Sequence, residues 1–143
     1  MTVTWLEHAT AALGRSGLRA GGARQAVIEH LATQACCLSA QEIHEGLRRT
    51  GTRVGVASVY RALDTLASLG LAHRVDLGDG SQRYEAAQPD GHHHHHLVCD
   101  TCGAVEQFED GQLERALARV AADRGYAMTG HDLVIHGACG DCR

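Results

Sequence analysis

Two Cys-x-x-Cys pairs constrain the folding of this chain more than any other feature. The first pair is Cys99 and Cys102, and the second is Cys139 and Cys142, near the end of the sequence. Four thiolates presented by two tight turns make a closed tetrahedral set that suits a structural Zn²⁺. Such a site ties the end of the chain to a much earlier segment, and its binding energy contributes to folding. A redox switch is the alternative, and zinc would be its resting state.

Composition and charge limit the classes of protein that are open. A chain of 143 residues makes one or two small domains. No apolar run approaches the roughly 20 residues that span a bilayer, and no signal-peptide pattern precedes the first helix, so we expect a cytoplasmic protein without a membrane partner. The net charge of −4 divides into +1 over residues 1–88 and −5 over residues 89–143. Local placement of arginine, not net charge, must therefore provide any phosphate contact.

The first part of the chain, residues 1–88, has the pattern of a helical domain that ends in a hairpin. Apolar spacing predicts four helices, and Ser39 with Glu42 forms a capping box at the start of the third. The fourth helix is predicted over residues 56–69. Two strand-like segments, 71–77 and 81–86, then flank a Gly-Asp-Gly turn. Helices followed by a two-stranded wing predict a winged helix-turn-helix, whose last helix enters the major groove of DNA. A generic small helical domain is the alternative.

The second part, residues 89–143, begins near Pro89, the only proline of the chain. Strands are predicted at residues 97–99 and 104–108, followed by an amphipathic helix over residues 112–124 and a strand region over 126–136. In the helix, Leu113, Leu117 and Val120 are expected to point inward. The fold class is therefore α+β: a winged helix joined to a small α/β domain that needs its four-cysteine zinc site for stability.

A run of five histidines, His92–His96, directly precedes the first cysteine pair. An affinity tag is an unsatisfactory explanation because tags lie at chain termini. Side chains alternate along an extended strand, so His93 and His95 are expected on one face and His94 and His96 on the other. One run can then supply two metal sites. The other candidate ligands are Glu85, Glu114, His73 and His131, which chemistry alone does not assign to either face.

Three motifs together resemble the ferric uptake regulator (Fur) family, over about residues 17–142. They are Val54-Gly-Val-Ala-Ser-Val-Tyr-Arg61, the segment from His92 through Cys99-Asp-Thr-Cys-Gly103, and the terminal Cys139-x-x-Cys142. The resemblance implies a homodimeric repressor that binds double-stranded operator DNA when its regulatory metal is bound. We expect Tyr60 and Arg61 to contact bases, Ser58 and Arg24 to contact phosphate, and Arg19 to reach a minor groove.

The resemblance also implies three metal sites. The structural zinc site, called here the four-Cys site, comprises Cys99, Cys102, Cys139 and Cys142. The family's dimerisation-domain site, called here the histidine–glutamate site, comprises His93, His95, Glu114 and His131. The family's sensor between the two domains, called here the hinge sensor, comprises His73, Glu85, His94 and His96.

Two departures from the family pattern bear on the regulatory metal. Iron and peroxide sensors have a histidine where this chain has Cys37, and an acid where it has Gln107. The remaining hinge sensor is a four-ligand N/O set suited to tetrahedral Zn²⁺. The role of Cys36 and Cys37 stays open. One interpretation of Cys37 is a soft ligand that reaches the hinge sensor, and a buried apolar cysteine next to Cys36 is the simpler one.

The resulting expectation is a zinc-sensing repressor of metal-uptake genes that is not an enzyme. An iron-, manganese- or peroxide-responsive repressor of the same family is the alternative. Two hypotheses of other classes are a zinc hydrolase with Glu114 as general base and a zinc storage or chaperone protein. Neither accounts for a winged-helix half, and the hydrolase also lacks a His-Glu-x-x-His helix.

Overall fold

The structure, a computed structural model, describes residues 3–19 and 21–143. The chain divides into two compact units, one ending at His92 and the other spanning His93–Arg143. The N-terminal unit contains four helices and a three-stranded sheet. These are α1 (Trp5–Arg15), α2 (Ala23–Ala32), β1 (Leu38–Ser39), α3 (Ala40–Arg49), α4 (Val56–Ser68), β2 (Ala72–Asp76) and β3 (Gln82–Ala86).

Apolar residues of all four helices form one core in the N-terminal unit. Leu13, Ile28, Ile43 and Leu63 are completely buried there, one from each helix. Trp5 belongs to this core, and its indole N–H donates a hydrogen bond of 2.9 Å to the Leu71 carbonyl. Burial of aliphatic side chains from every helix makes this unit stable through packing.

Side-chain caps fix where two of these helices begin. Ser39 Oγ accepts the Glu42 N–H at 3.1 Å, while the Glu42 carboxylate accepts the Ser39 N–H at 2.7 Å. The capping box predicted for the third helix is therefore confirmed. Thr4 and Glu7 form an equivalent box at α1. The fourth helix ends at Ser68, one residue earlier than predicted, and Leu69 is its C-cap. Leu69 is 38% exposed, so it does not continue the buried stripe of the helix.

The wing is the hairpin of β2 and β3, with Gly78 and Gly80 at positive φ in its turn. The sequence missed a third strand, β1, which pairs with β3 and gives the order β1-β3-β2. This strand has only two residues, so it shows no alternation in the sequence. It joins the start of α3 to the wing. The predicted α+β winged helix-turn-helix is confirmed.

The C-terminal unit contains β4 (His95–Cys99), β5 (Val105–Phe108), α5 (Gly111–Asp123) and β6 (Val134–Gly137). The central strand β4 pairs antiparallel with β5 and parallel with β6. The first strand thus begins within the histidine run, and the last is much shorter than the predicted segment 126–136. The small α/β unit expected from the sequence is present.

The packing of α5 differs from the prediction. Leu113 and Leu117 are only half-buried and Val120 is 44% exposed, so none of the three is buried within the chain. Of residues 93–143, all of which the structure describes, only His95, His96 and Cys99 are buried. Periodicity identified the apolar face of α5 correctly, but this chain alone does not cover it.

Among residues 3–19 and 21–143, no helix is both long and apolar enough to cross a membrane.

Candidate metal centres and DNA-facing helix

The four predicted cysteine ligands come together at one end of the C-terminal sheet. Cys99 ends β4, Cys102 follows in the next turn, and Cys139 and Cys142 lie just after β6. All four sulfur atoms lie within 4.8 Å of one another, and Cys102 Sγ and Cys139 Sγ are 3.9 Å apart. A Zn–S bond of about 2.3 Å in a tetrahedron requires S···S distances of about 3.8 Å. The donor set and its spacing therefore fit Zn²⁺.

Backbone hydrogen bonds favour the thiolate form of Cys99. The backbone N–H groups of Cys102 and Cys139 lie 3.5 and 3.3 Å from Cys99 Sγ, and they lower the pKa of this thiol to about 6. Hydrogen bonding with the sulfurs of Cys139, Cys102 and Cys99 raises the pKa of Cys142 to about 12. The first thiolate thus forms easily, whereas the last requires a cation that offsets the negative charge of the others.

The histidine–glutamate site is built from the other end of β4, from α5 and from the segment before β6. Asp110 caps α5 by accepting the N–H groups of Gln112 and Leu113 at 2.8 and 3.0 Å. This cap fixes the first helical turn and hence the position of Glu114. His95 opens β4 and is 3% exposed.

Three imidazoles surround the Glu114 carboxylate. His95 Nε2 is hydrogen-bonded to Oε1, while His131 Nε2 and His93 Nε2 lie 3.0 and 3.4 Å from Oε2. The hydrogen bond from His95, followed by that from His131, lowers the pKa of Glu114 below its usual value. The four ligand atoms lie within 4.8 Å of one another. Three imidazole nitrogens and a carboxylate suit Zn²⁺ and other first-row divalent ions.

The alternation predicted for the histidine run is visible in the ring contacts. The His93 and His95 rings lie 5.2 Å apart, and the His94 and His96 rings lie 5.1 Å apart, each pair edge to face. Gln107 is the residue opposite His96 on β5. The Gln107 amide nitrogen is buried and has no hydrogen-bond partner in the described part of the chain. A neutral amide therefore faces the run where iron and peroxide sensors are expected to place an acid.

The two wing ligands of the hinge sensor lie side by side in the N-terminal unit. His73 on β2 is the direct cross-strand partner of Glu85 on β3. Directly opposed residues of an antiparallel pair project on the same face of the sheet. Each unit therefore presents its own pair of the four predicted ligands, Glu85 with His73 and His94 with His96.

The predicted recognition helix is α4. Its inner face, with Val59, Leu63 and Leu66, is buried, and its outer face exposes Tyr60 and Arg61. Arg61 donates a hydrogen bond of 3.0 Å to Ser58 Oγ. Ser58, which the sequence predicts to contact phosphate, thus accepts a hydrogen bond from the Arg61 guanidinium in the described structure.

Arg24 and Arg19, the remaining predicted DNA contacts, adjoin the start of α2. The Arg24 guanidinium lies 3.5 Å from the Arg19 carbonyl oxygen, to which it donates. The sequence reading missed a further basic surface between α3 and α4. There, Arg48 and Arg53 help to line an open surface depression beside the start of α4. The available signal was the pair of arginines on either side of the turn at Gly51.

A winged helix joined to a sheet that bears two clusters of metal-ligating side chains defines a class of metal-binding regulators. The ferric uptake regulator family profile matches residues 15–136, and the chain belongs to that family. Because this is a family of regulators, the expectation that the chain is not an enzyme is confirmed.

Relatives with different names match nearly the whole chain. A zinc uptake regulation protein of Mycobacterium tuberculosis is 37% identical over 131 residues, covering 92% of this chain and 99% of that protein. A ferric uptake regulation protein of Neisseria meningitidis is 34% identical over 134 residues, covering 93% of this chain and 92% of that protein.

Solved structures match the fold over similar lengths. The Vibrio cholerae ferric uptake regulator has a TM-score of 0.80 and 33% identity, covering 91% of this chain and 98% of that one. The Helicobacter pylori ferric uptake regulator, described as having three functional metal-binding sites, has a TM-score of 0.82 and 26% identity. That match covers 96% of this chain and 91% of that one.

Proposed function

We propose that the chain is a cytoplasmic, zinc-responsive repressor of metal-uptake genes that binds operator DNA as a homodimer. In this proposal residues 1–88 bind DNA, and residues 89–143 dimerise and bind metal. The observation that carries it is the presence, in one chain of this family, of an exposed α4 face and two preassembled ligand clusters. The relative named for zinc uptake, similar over almost its full length, supports zinc as the regulatory metal.

Three metal roles follow from the donor sets. The four-Cys site holds structural Zn²⁺, since four thiolates leave no open position for a sensor. The histidine–glutamate site holds a second divalent ion that stiffens the C-terminal unit. The hinge sensor takes His73 and Glu85 from the wing and His94 and His96 from the histidine run, and these ligands suit tetrahedral Zn²⁺.

The hinge sensor is the site that can regulate, because its ligands come from both units. A metal that binds only one arrangement of the two units shifts the population toward that arrangement. Two recognition helices of a dimer dock together only when their separation matches about one helical turn of DNA, or a multiple of it. Metal binding thereby controls operator affinity through the angle between the units.

The apolar surface of the C-terminal unit supports the dimer. Val120 and Ile135 are each 44% exposed, and Tyr126 is 74% exposed. A unit with so few buried residues leaves apolar surface that a second copy can cover. We therefore assign dimerisation to α5 and the neighbouring sheet.

Iron is the second candidate for the regulatory metal, favoured by the relatives named for ferric uptake at 34–35% identity. The distinguishing experiment is gel retardation of an operator duplex by metal-stripped protein, titrated separately with Zn²⁺, Fe²⁺ and Mn²⁺. We expect half-maximal retardation at the lowest free concentration for Zn²⁺. If only Fe²⁺ caused retardation, iron and not zinc would be the regulatory metal. If metal bound without any retardation, the protein would be a metal-storage protein and not a repressor.

Paired histidine variants separate the two faces of the run. His96→Ala should leave a folded dimer with zinc in the four-Cys site, yet bind operator as weakly as the metal-free protein. His95→Ala, the matched control from the opposite face, should loosen the C-terminal unit and change operator binding only gradually. If His96→Ala kept full metal-dependent binding and His95→Ala lost it, the sensor would lie on the opposite face of the run, with His93 and His95.

A further inference from the structure

Two adjacent cysteines outside the four-Cys site have a geometry that the proposed function does not use. A bend at residues 35–36 brings Cys36 Sγ within 3.7 Å of Cys37 Sγ, immediately before β1. Neither cysteine is in a disulfide; Cys36 is half-buried and Cys37 is 3% exposed. Successive side chains of an extended strand point apart, so it is the bend that brings these two sulfurs together.

The sheet register aligns Cys37 with other metal-ligating residue types of the same unit. Leu38 pairs with Tyr84, so continuing the register by one residue puts Cys37 opposite Glu85. Glu85 pairs in turn with His73 across the wing. Residues directly opposed across antiparallel strands share a face, so the row contains a thiol, a carboxylate and an imidazole. The Glu85 charge is near enough to contribute to the rise in the pKa of Cys37, whose larger causes are hydrogen bonding with Cys36 and burial.

We propose that Cys36 and Cys37 form a dithiolate site for a thiophilic divalent cation such as Zn²⁺ or Cd²⁺. The observed S···S distance of 3.7 Å is close to the edge of about 3.8 Å that a Zn–S bond of about 2.3 Å gives in a tetrahedron. Binding replaces the two thiol protons with the cation, and the protons go to solvent. The two other positions of a tetrahedron remain for water or further ligands.

This site lies entirely in the N-terminal unit and does not depend on the hinge sensor being correct. A cysteine that only fills space needs an apolar pocket, whereas Cys37 adjoins a second thiol and a row of polar ligands. Soft thiolates also favour zinc and cadmium over iron and manganese, so this site would select among metals that the N/O sites accept.

Cadmium NMR on the reduced full-length protein, stripped of metal and reloaded with Cd²⁺, tests the proposal. We expect two thiolate-bound cadmium signals, one from the four-Cys site and one at the shift of a site with two sulfurs. Cys36→Ser/Cys37→Ser should lose the second signal and keep the first, which also reports that the C-terminal unit is folded. Cys36→Ser alone changes only a half-buried position and should lose or shift the second signal. His131→Ala, a ligand change at the histidine–glutamate site, should keep both.

A wild-type spectrum with only the four-Cys signal, or a second signal that survives in the double variant, would overturn the dithiolate site. Operator retardation on the same samples keeps the two proposals apart. Absence of metal-dependent retardation in the wild type would contradict the proposed repressor function. The second cadmium signal would still decide whether the dithiolate site exists.

Discussion

The two units of this chain are stabilised by different physical means. The N-terminal unit buries aliphatic side chains from four helices, and Leu13, Ile28, Ile43 and Leu63 have no exposed surface. The C-terminal unit buries two histidines and a cysteine, His95, His96 and Cys99, and leaves its helix uncovered. A packed core forms from the chain alone, whereas buried polar ligands need an ion to compensate for lost hydration. We therefore expect metal to affect the stability of the C-terminal unit far more than that of the N-terminal unit.

The largest expected effect comes from breaking the four-Cys site. Cys142→Ser should unfold the C-terminal unit and abolish dimers, because the small unit loses its metal and keeps unpaired thiolates. Chelation of zinc should have the same effect. Trp5, the only tryptophan, lies in the core of the N-terminal unit, so its fluorescence should stay native. Amide hydrogen exchange of residues 93–143 measures the unfolding of the C-terminal unit, and sedimentation measures the loss of dimers.

Cys36→Ser is the matched control, since it removes a thiol outside the four-Cys site. It should keep the C-terminal unit folded and dimeric. Soluble, dimeric Cys142→Ser protein with unchanged exchange would show that packing, not metal, holds this unit together.

A cavity in the N-terminal core should have the opposite selectivity. Leu63→Ala removes a completely buried side chain of α4 and should cost about 2–5 kcal/mol of unfolding free energy. Denaturation followed by Trp5 fluorescence measures this loss, and zinc in the four-Cys site should be unchanged. Leu69→Ala, at an exposed position that caps the same helix, should cost less than about 0.5 kcal/mol. Equal losses from both variants would contradict the assignment of Leu63 to the core.

The same difference between the units decides how much could be predicted from sequence. Caps and apolar spacing are local, so the helices, the capping box at Ser39 and the glycine-rich wing turn were found correctly. Cysteine spacing and strand alternation are also local, and they predicted the four-Cys cluster and the two faces of the histidine run.

The features that the sequence did not reveal depend on distant partners. The strand β1 exists only because Leu38 and Ser39 pair with β3, and two residues carry no periodicity. Periodicity shows which face of α5 is apolar but not what covers it, so burial of Val120 was wrongly expected. The proximity of the Cys36 and Cys37 sulfurs depends on a bend that no motif indicates.

A substitution on the exposed face of α4 should change operator affinity without changing the metal content of the protein. Arg61→Ala should cost about 1–3 kcal/mol of specific binding if the guanidinium makes a bidentate base contact. Arg15→Ala removes the same charge from an exposed position in the last turn of α1, away from the predicted contacts, and should leave operator affinity unchanged. Competition gel shifts with operator and random duplexes measure both variants. Equal weakening on the two duplexes would make Arg61 a phosphate contact instead of a base contact.

The smallest expected effect compares one kind of cap in the two units. Ser39→Ala removes the side-chain acceptor at α3 and should lower the stability of the N-terminal unit by about 1 kcal/mol, with no change in metal affinity. Asp110→Ala removes the acceptor for the N–H groups of Gln112 and Leu113 at α5. Loss of this cap should cost a similar free energy. Because the first turn of α5 carries Glu114, that cost should weaken metal binding at the histidine–glutamate site by up to about fivefold.

Ser39→Thr and Asp110→Asn keep a capping oxygen and are the matched controls. Both should stay close to the wild type, because threonine and asparagine also accept the N–H of the first helical turn. Isothermal titration with Zn²⁺, after the four-Cys site has been filled, separates metal affinity from unfolding followed by Trp5 fluorescence. If Asp110→Ala left zinc affinity unchanged, the position of Glu114 would be set by the sheet and not by the start of α5. The C-terminal unit would then owe its ligand geometry to packing, as the N-terminal unit does.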